Sequence, residues 1–150
     1  DSIMSEGIPQ RHANRMALVQ FLYMMEMNPP LLMVDRVRTF FSTLEQPREY
    51  YDYAEEIIAG IVKHLEDIDG QIRSLSQNWE FSRIAQVDLA ILRLGVFELL
   101  HRQDVPPVVI INEAIELSRE FSTDDSSTFI NGILDKVMEQ VERHPREKEG

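Results

Sequence analysis

The sequence predicts an all-α fold of about seven helices, grouped as two helical subdomains packed around one buried central helix. Three observations carry this. From Ser82 to His101 there is no proline and a single glycine, Gly95, and the residues are good helix formers, enough for about five turns. The flanking segments repeat apolar residues at helical spacing, and no alternating strand pattern competes with them. Prolines at Asn28-Pro29-Pro30, Gln46-Pro47 and Val105-Pro106-Pro107 punctuate the chain, because proline lacks the N–H and disfavours helix in the residue before it.

The run 82–101 is apolar nearly all round. Ile84, Val87, Ile91, Leu94 and Val96 cover some faces; Leu89, Leu92, Phe97, Leu99 and Leu100 cover the rest. Its charges Asp88, Arg93 and Glu98 do not share a side, since steps of five residues rotate by about 140° on a 3.6-residue period. Such a helix is wrapped by others and reads as a central post. Three charges also exclude a membrane span, which needs about 20 predominantly apolar residues.

The other elements follow in order. Residues 10–27 form a helix with Ala17, Leu18, Phe21, Leu22 and Met25 as a core stripe and Arg11, His12, Asn14 and Arg15 on the polar side. Met24, Met25 and Met27 read as core filling. A short helix is expected at 34–44. Pro47 suits a first turn, where its missing N–H costs nothing, and starts a helix running to Leu65. Its inward residues are Tyr50, Tyr53, Ala54, Ile57, Ile58, Ile61, Val62 and Leu65. Residues 67–76 form a short helix carrying Ile68, Ile72 and Leu75. After the central helix, residues 108–121 place Ile111, Ala114, Ile115 and Ser118 on one face. Ser122-Thr-Asp-Asp-Ser126 supplies side-chain oxygens suited to capping a helix start. The last helix, 126–141, repeats Ile130, Ile133, Leu134, Val137 and Val141 at helical spacing. Asn112 and Asn131 read as hydrogen-bonding residues at interhelical contacts, and Gly132 as a site of close packing.

With 150 residues, the chain reads as one helical domain over 10–143. A flexible lead-in at 1–9 and a disordered charged tail at 144–150 are expected to flank it. It has no cysteine, so disulfides and thiolate metal sites are excluded; a reducing, cytoplasmic setting fits. No secretory signal pattern opens the chain. A net charge of −11 argues against phosphate binding over the whole surface, so a nucleic-acid site must be a local basic patch. His12, His64, His101 and His144 are scattered without metal-ligand spacing, and no nucleophile elbow or phosphate-cradling glycine loop occurs. The expectation is no catalytic residue, no metal, no cofactor and no enzyme.

Several motifs go beyond a generic bundle. Val87-Asp-Leu-Ala-Ile-Leu-Arg-Leu-Gly-Val-Phe-Glu-Leu99 resembles the central-helix signature of the transcription antitermination factor NusB family. Asp104-Val-Pro-Pro-Val-Val-Ile-Ile-Asn-Glu-Ala-Ile-Glu-Leu-Ser-Arg-Glu-Phe121 is similar to the family's next helix, and Asp125-Ser-Ser-Thr-Phe-Ile-Asn-Gly-Ile-Leu-Asp-Lys136 to its last. Arg11-His-Ala-Asn-Arg-Met-Ala-Leu-Val-Gln-Phe-Leu-Tyr23 resembles the family's arginine-rich first helix. The resemblance is thin over 28–78. It implies a NusB-like fold that binds boxA RNA together with NusE, a small-subunit ribosomal protein. It further implies a place in the transcription elongation complex, antitermination of ribosomal RNA operons, and no chemistry.

The residues themselves partly agree. Arg11 and Arg15 lie one helical turn apart with His12 beside them. They can meet phosphates, helped by the helix dipole, or form an ordinary solvated face. Tyr23 and Phe129 match family positions at or near the RNA site, where rings stack on splayed bases; both can equally be core. Asp125 and Ser126 match the loop-to-helix junction near RNA and partner, and capping is their structural role. Asp88 matches an acidic position facing NusE, although an internal pair with an arginine such as Arg83 serves it as well. The RNA-facing candidates are thus Arg11, His12, Arg15, Tyr23, Arg119, Asp125, Ser127, Thr128 and Phe129; the partner-facing ones are Asp88 and Tyr23. His12 stands where the family commonly has arginine, and Thr128 where it often has lysine, so RNA affinity is expected to lean on the partner. Two other readings stay open: the RNA-binding domain of a ribosomal-RNA cytosine methyltransferase, and an interaction module or homodimer with weak RNA binding.

Overall fold

The computed structural model describes residues 9–27, 33–76 and 80–143. The expected lead-in (save Pro9), the tail at 144–150, the proline stop at 28–30 and Trp79 lie outside the described residues. Among the described residues there are seven α-helices and no strand: α1 (Gln10–Met27), α2 (Met33–Ser42), α3 (Asp52–Lys63), α4 (Leu65–Leu75), α5 (Gln86–His101), α6 (Pro107–Phe121) and α7 (Asp124–Arg143). The chain divides into two compact units, 1–60 and 61–150. No described helix is long and apolar enough to cross a membrane.

In the first unit, α1 buries Ala17, Leu18, Phe21, Leu22 and Met25, the expected stripe, and Val19 besides. Met24 is 46% exposed and is not core. Phe41 of α2 is fully buried, with its ring centroid 5.0 Å from Phe40, 5.6 Å from Tyr51 and 6.1 Å from Phe21. These offset and edge-on contacts add to plain burial. The helix expected from Pro47 to Leu65 is two pieces, and the separate helix expected at 67–76 follows as α4. Arg48–Tyr51 is a 3-10 turn, α3 follows, and α4 begins at Leu65. The tighter 3-10 winding changes which tyrosine faces in: Tyr51 is buried and Tyr50 only half-buried. The break between α3 and α4 falls at His64, at φ −111° and ψ 21°. The sequence places this boundary between Leu65 and Asp67, two residues later than the structure does. Val62, expected inward, is exposed.

In the second unit, α5 starts at Gln86, four residues later than expected. Phe81–Arg83 is a separate 3-10 turn, and Ile84 and Ala85 are extended (ψ 130° and 142°). From Asp88 to Leu99 every residue of α5 is buried, and α4, α6 and α7 all pack on it. Its charges are satisfied in place. The Arg93 guanidinium donates Nε to Asp69 at 2.9 Å and Nη2 at 2.8 Å, a bidentate pair that holds α4 to α5. Glu98 is 1% exposed and partnered. Among the described residues no buried side-chain nitrogen or oxygen lacks a partner.

The close approach in this unit belongs to Gly95, not Gly132. A Cβ on Gly95 would lie 2.9 Å from Leu134 Cδ1, whereas one on Gly132 would meet nothing within 4 Å. Asn112 is exposed, and Asn131 donates to Asp135 of its own helix at 3.4 Å. Neither makes the interhelical contact expected of it, because Ile111, Ala114, Ile130 and Leu134 take the inward positions.

Candidate nucleic-acid interface

The start of α1 is fixed by Asn14. This side chain, expected on the polar face, is 1% exposed. Its amide nitrogen donates to the carbonyls of Gln10 (2.9 Å) and Tyr50 (3.0 Å), and its oxygen accepts the Ala54 N–H at 2.9 Å. Gln10 Nε2 adds a bond to the same Tyr50 carbonyl at 3.0 Å. Three of the four hydrogen bonds an asparagine amide can make are used; the one to Gln10 stays within α1, and the two to Tyr50 and Ala54 tie α1 to the 3-10 turn and to the first turn of α3.

That register brings Arg11 to Tyr53. The guanidinium carbon of Arg11 lies 3.7 Å from the Tyr53 ring centroid, well inside the range of a cation–π contact. Arg11 is exposed, and among the described residues no carboxylate pairs with it. Arg15, one turn on, is 2% exposed; its guanidinium carbon is 5.7 Å from the same ring, and it is otherwise engaged within the protein. His12 is half-buried. The two arginines expected to act as equal surface donors are therefore one exposed cation and one buried one. Tyr23 is 41% exposed toward the other end of α1.

In the second unit, Thr123 Oγ1 accepts the Ser126 N–H at 3.2 Å and caps α7, with Asp124 and Asp125 in the first turn, where the helix dipole favours carboxylates. The cap is Thr123 rather than Asp125 or Ser126. Ser126 turns its hydroxyl to Asp88 instead. Asp88, 7% exposed, accepts Ser122 Oγ at 2.9 Å on one oxygen and Ser126 Oγ at 2.8 Å on the other. A carboxylate on a buried helix is here satisfied by two hydroxyls, with no cation required. The Ser127 hydroxyl lies 2.6 Å from that of Ser118, which is fully buried. Phe129 is half-buried, Asp125 and Thr128 are exposed, and Arg119 is exposed with Glu116 at 3.3 Å.

Arg83, Ile84, Ala85, Asp88, Asp125, Ser126 and Phe129 line a recess of about 200 Å³ at the starts of α5 and α7. Three of the sequence candidates, Asp88, Asp125 and Phe129, meet there. Arg83 joins them as an exposed cation, a position the sequence offered only as a partner for Asp88. Tyr53 is the other residue missed. Its helical position read as core, and nothing local in the chain links it to Arg11.

Comparison with known proteins shows the family and the fold. The NusB family matches over residues 12–139. The transcription antitermination protein NusB of Geobacter sp. (strain M21) is 45% identical over 111 residues, covering 71% of this chain and 77% of that protein. The structure of NusB from T. maritima superposes with a TM-score of 0.74 at 30% identity, over 87% of this chain and 91% of that one. A chain from a solved complex of the antitermination factors NusB and NusE with double-stranded RNA has the same fold, with a TM-score of 0.72 at 21% identity, over 91% and 99% of the two chains. From the match over 12–139 and the shared fold, this chain belongs to the NusB family.

Proposed function

We propose that this protein is a transcription antitermination factor that binds boxA-type single-stranded RNA together with NusE, within the transcription elongation complex, in support of ribosomal RNA operon transcription. It performs no chemistry of its own, and its setting is the cytoplasm. The observation that carries the reading is Arg11: a cation at a helix start, exposed, free of any described carboxylate partner and stacked on an aromatic face, in a chain whose net charge is −11. An unneutralised arginine at a helix start, on an acidic body, is suited to a phosphate. Family membership supplies the class of ligand.

In this reading Arg11 meets phosphate directly, with His12 beside it, and Arg15 adds charge from beneath the surface. Tyr23, 41% exposed, offers a ring to a base or to the partner. In the second unit Phe129 offers a stacking face, and Asp125 and Thr128 offer hydrogen bonds. Arg119 adds charge that Glu116 partly offsets. Ser127 acts through its bond to Ser118, and Asp88 through the hydroxyls that shape the partner-facing surface. The acidic body suits a basic ribosomal protein, which steers association and stands in for missing cations.

The test is fluorescence anisotropy of a labelled boxA-like strand against the protein across a salt series, with and without equimolar NusE. Affinity is expected to rise about tenfold or more with NusE and to fall linearly in log K against log salt. Arg11→Glu is expected to weaken binding in both conditions. Binding unchanged by NusE and by Arg11→Glu would overturn the proposal.

A further inference from the structure

We propose that Tyr53 is a positioning residue of the RNA site, which locks the Arg11 guanidinium into a stacked fork aimed at one phosphate. The inference rests on the RNA reading above and adds to it a residue and a geometry.

Arg11 and Tyr53 stand on different helices, and their approach is enforced rather than incidental. Asn14, fully buried, holds the Tyr50 carbonyl, the Gln10 carbonyl and the Ala54 N–H at once. Tyr53 precedes Ala54 and Arg11 follows Gln10, so the two bonds to Tyr50 and Ala54 that set the register of α1 on α3 also set the distance from Arg11 to Tyr53. With one face of the guanidinium covered at 3.7 Å, its in-plane N–H groups remain as the outlet. These form the planar fork that matches a phosphate in bidentate fashion.

The physical gain is in entropy. A free surface arginine loses rotamer freedom when it grips a phosphate; one already laid on a ring has lost much of it before binding. The ring quadrupole also stabilises the cation without neutralising it, whereas a carboxylate partner would compete with the phosphate. In a chain with 26 acidic and 15 basic residues, an aromatic holder keeps a cation available where an ion pair would not. Lysine cannot replace arginine here, since an ammonium offers no planar fork.

The experiment is a double-mutant cycle on RNA affinity, with NusE present, at several salt concentrations. The set is wild type, Tyr53→Phe, Tyr53→Leu, Arg11→Ala, Arg11→Lys and Arg11→Ala with Tyr53→Leu; thermal melts check folding. Tyr53→Phe keeps the ring face and is expected to bind as wild type does. Tyr53→Leu is expected to weaken binding about three- to fivefold, the equivalent of one exposed cation–π contact. Arg11→Lys is expected to cost a similar factor while leaving the salt slope unchanged. Arg11→Ala is expected to lower the slope by about 0.7, one phosphate on a single strand. In the Arg11→Ala background, Tyr53→Leu is expected to cost nothing further. An equal loss in both backgrounds would mean that Tyr53 is only structural and would overturn the proposal, as would full binding by Tyr53→Leu. If Tyr53→Leu melts early, Tyr53→Met keeps the bulk and carries the same comparison. A wild-type protein with no salt-dependent RNA binding fails the underlying function; a wild type that binds while the cycle shows no coupling fails this inference alone.

Discussion

Asp88, near the start of the central helix, accepts the hydroxyl of Ser126, in the first turn of the last helix, at 2.8 Å. With Ser122 on its other oxygen at 2.9 Å, the carboxylate pins the loop between α6 and α7 and so fixes where Asp125, Thr128 and Phe129 are presented. Asp88→Asn keeps the size but removes the charge and turns one acceptor into a donor facing a hydroxyl. A charge-assisted hydrogen bond contributes about 1.5–3 kcal/mol, so urea unfolding of Asp88→Asn is expected to show a loss of about 2 kcal/mol. A stability equal to wild type would mean that the two serine bonds contribute nothing net.

Gly95 and Gly132 both lie inside helices and respond oppositely to alanine. A methyl at Gly132 meets nothing within 4 Å, so Gly132→Ala is expected to stabilise by up to about 1 kcal/mol through helix propensity alone. A methyl at Gly95 lies 2.9 Å from Leu134 Cδ1. Leu134 is fully buried, and overpacking costs about 1–3 kcal/mol, which exceeds the propensity gain. Thermal melts are expected to place Gly132→Ala above wild type and Gly95→Ala below it.

The Arg93–Asp69 pair has side-chain exposures of 5% and 15%. A buried pair is weak grounds for stability in itself, but removing one partner strands a desolvated charge. Arg93→Met is therefore expected to cost about 3–5 kcal/mol, and the double change Arg93→Met with Asp69→Leu to recover most of that. Equal stability of the single and double variants in urea would show that the two charges are not coupled.

What the sequence made legible follows from how each feature is encoded. The burial of α5 and the stripe of α1 were readable because both are written as local periodicity. The helix starts were less so: Pro47 signalled an opening, yet the turn at Arg48–Tyr51 is 3-10, and its three-residue winding put Tyr51 rather than Tyr50 inside. Both Gly95 and Gly132 sit in family-like motifs, and the close contact falls on Gly95 rather than Gly132 because of where Leu134 reaches, which no local pattern encodes. At the candidate site, Arg11 and Phe129 were found through the motifs that surround them. Asn14 and Tyr53 were not, because their roles depend on bonds and stacking between residues about 40 positions apart, as with Asn14 to Ala54. The burial of Arg15 is hidden from the sequence for the same reason. Helical spacing puts it beside Arg11, and tertiary packing buries it.

The last prediction concerns alkaline stability. Burial pushes the Tyr51 phenol up from its ordinary value of 10.0, and a backbone hydrogen bond from Gln46 works more weakly the other way. The folded state therefore holds this proton more tightly than the unfolded chain does. The associated stability is fully present below pH 10, the unfolded value, and is lost as pH rises above it through the folded value. Other groups also titrate there, lysines among them, so the comparison must be internal. Tyr51→Phe loses the hydroxyl bond and is expected to be about 1 kcal/mol less stable than wild type at pH 7. It carries no phenol to ionise at that position. The gap between the two proteins is expected to narrow as pH rises above 10 in guanidinium unfolding, because only the wild type must keep a phenol neutral against the solvent. A gap constant from pH 7 to pH 11 would mean that Tyr51 ionises as readily in the folded protein as in the unfolded chain.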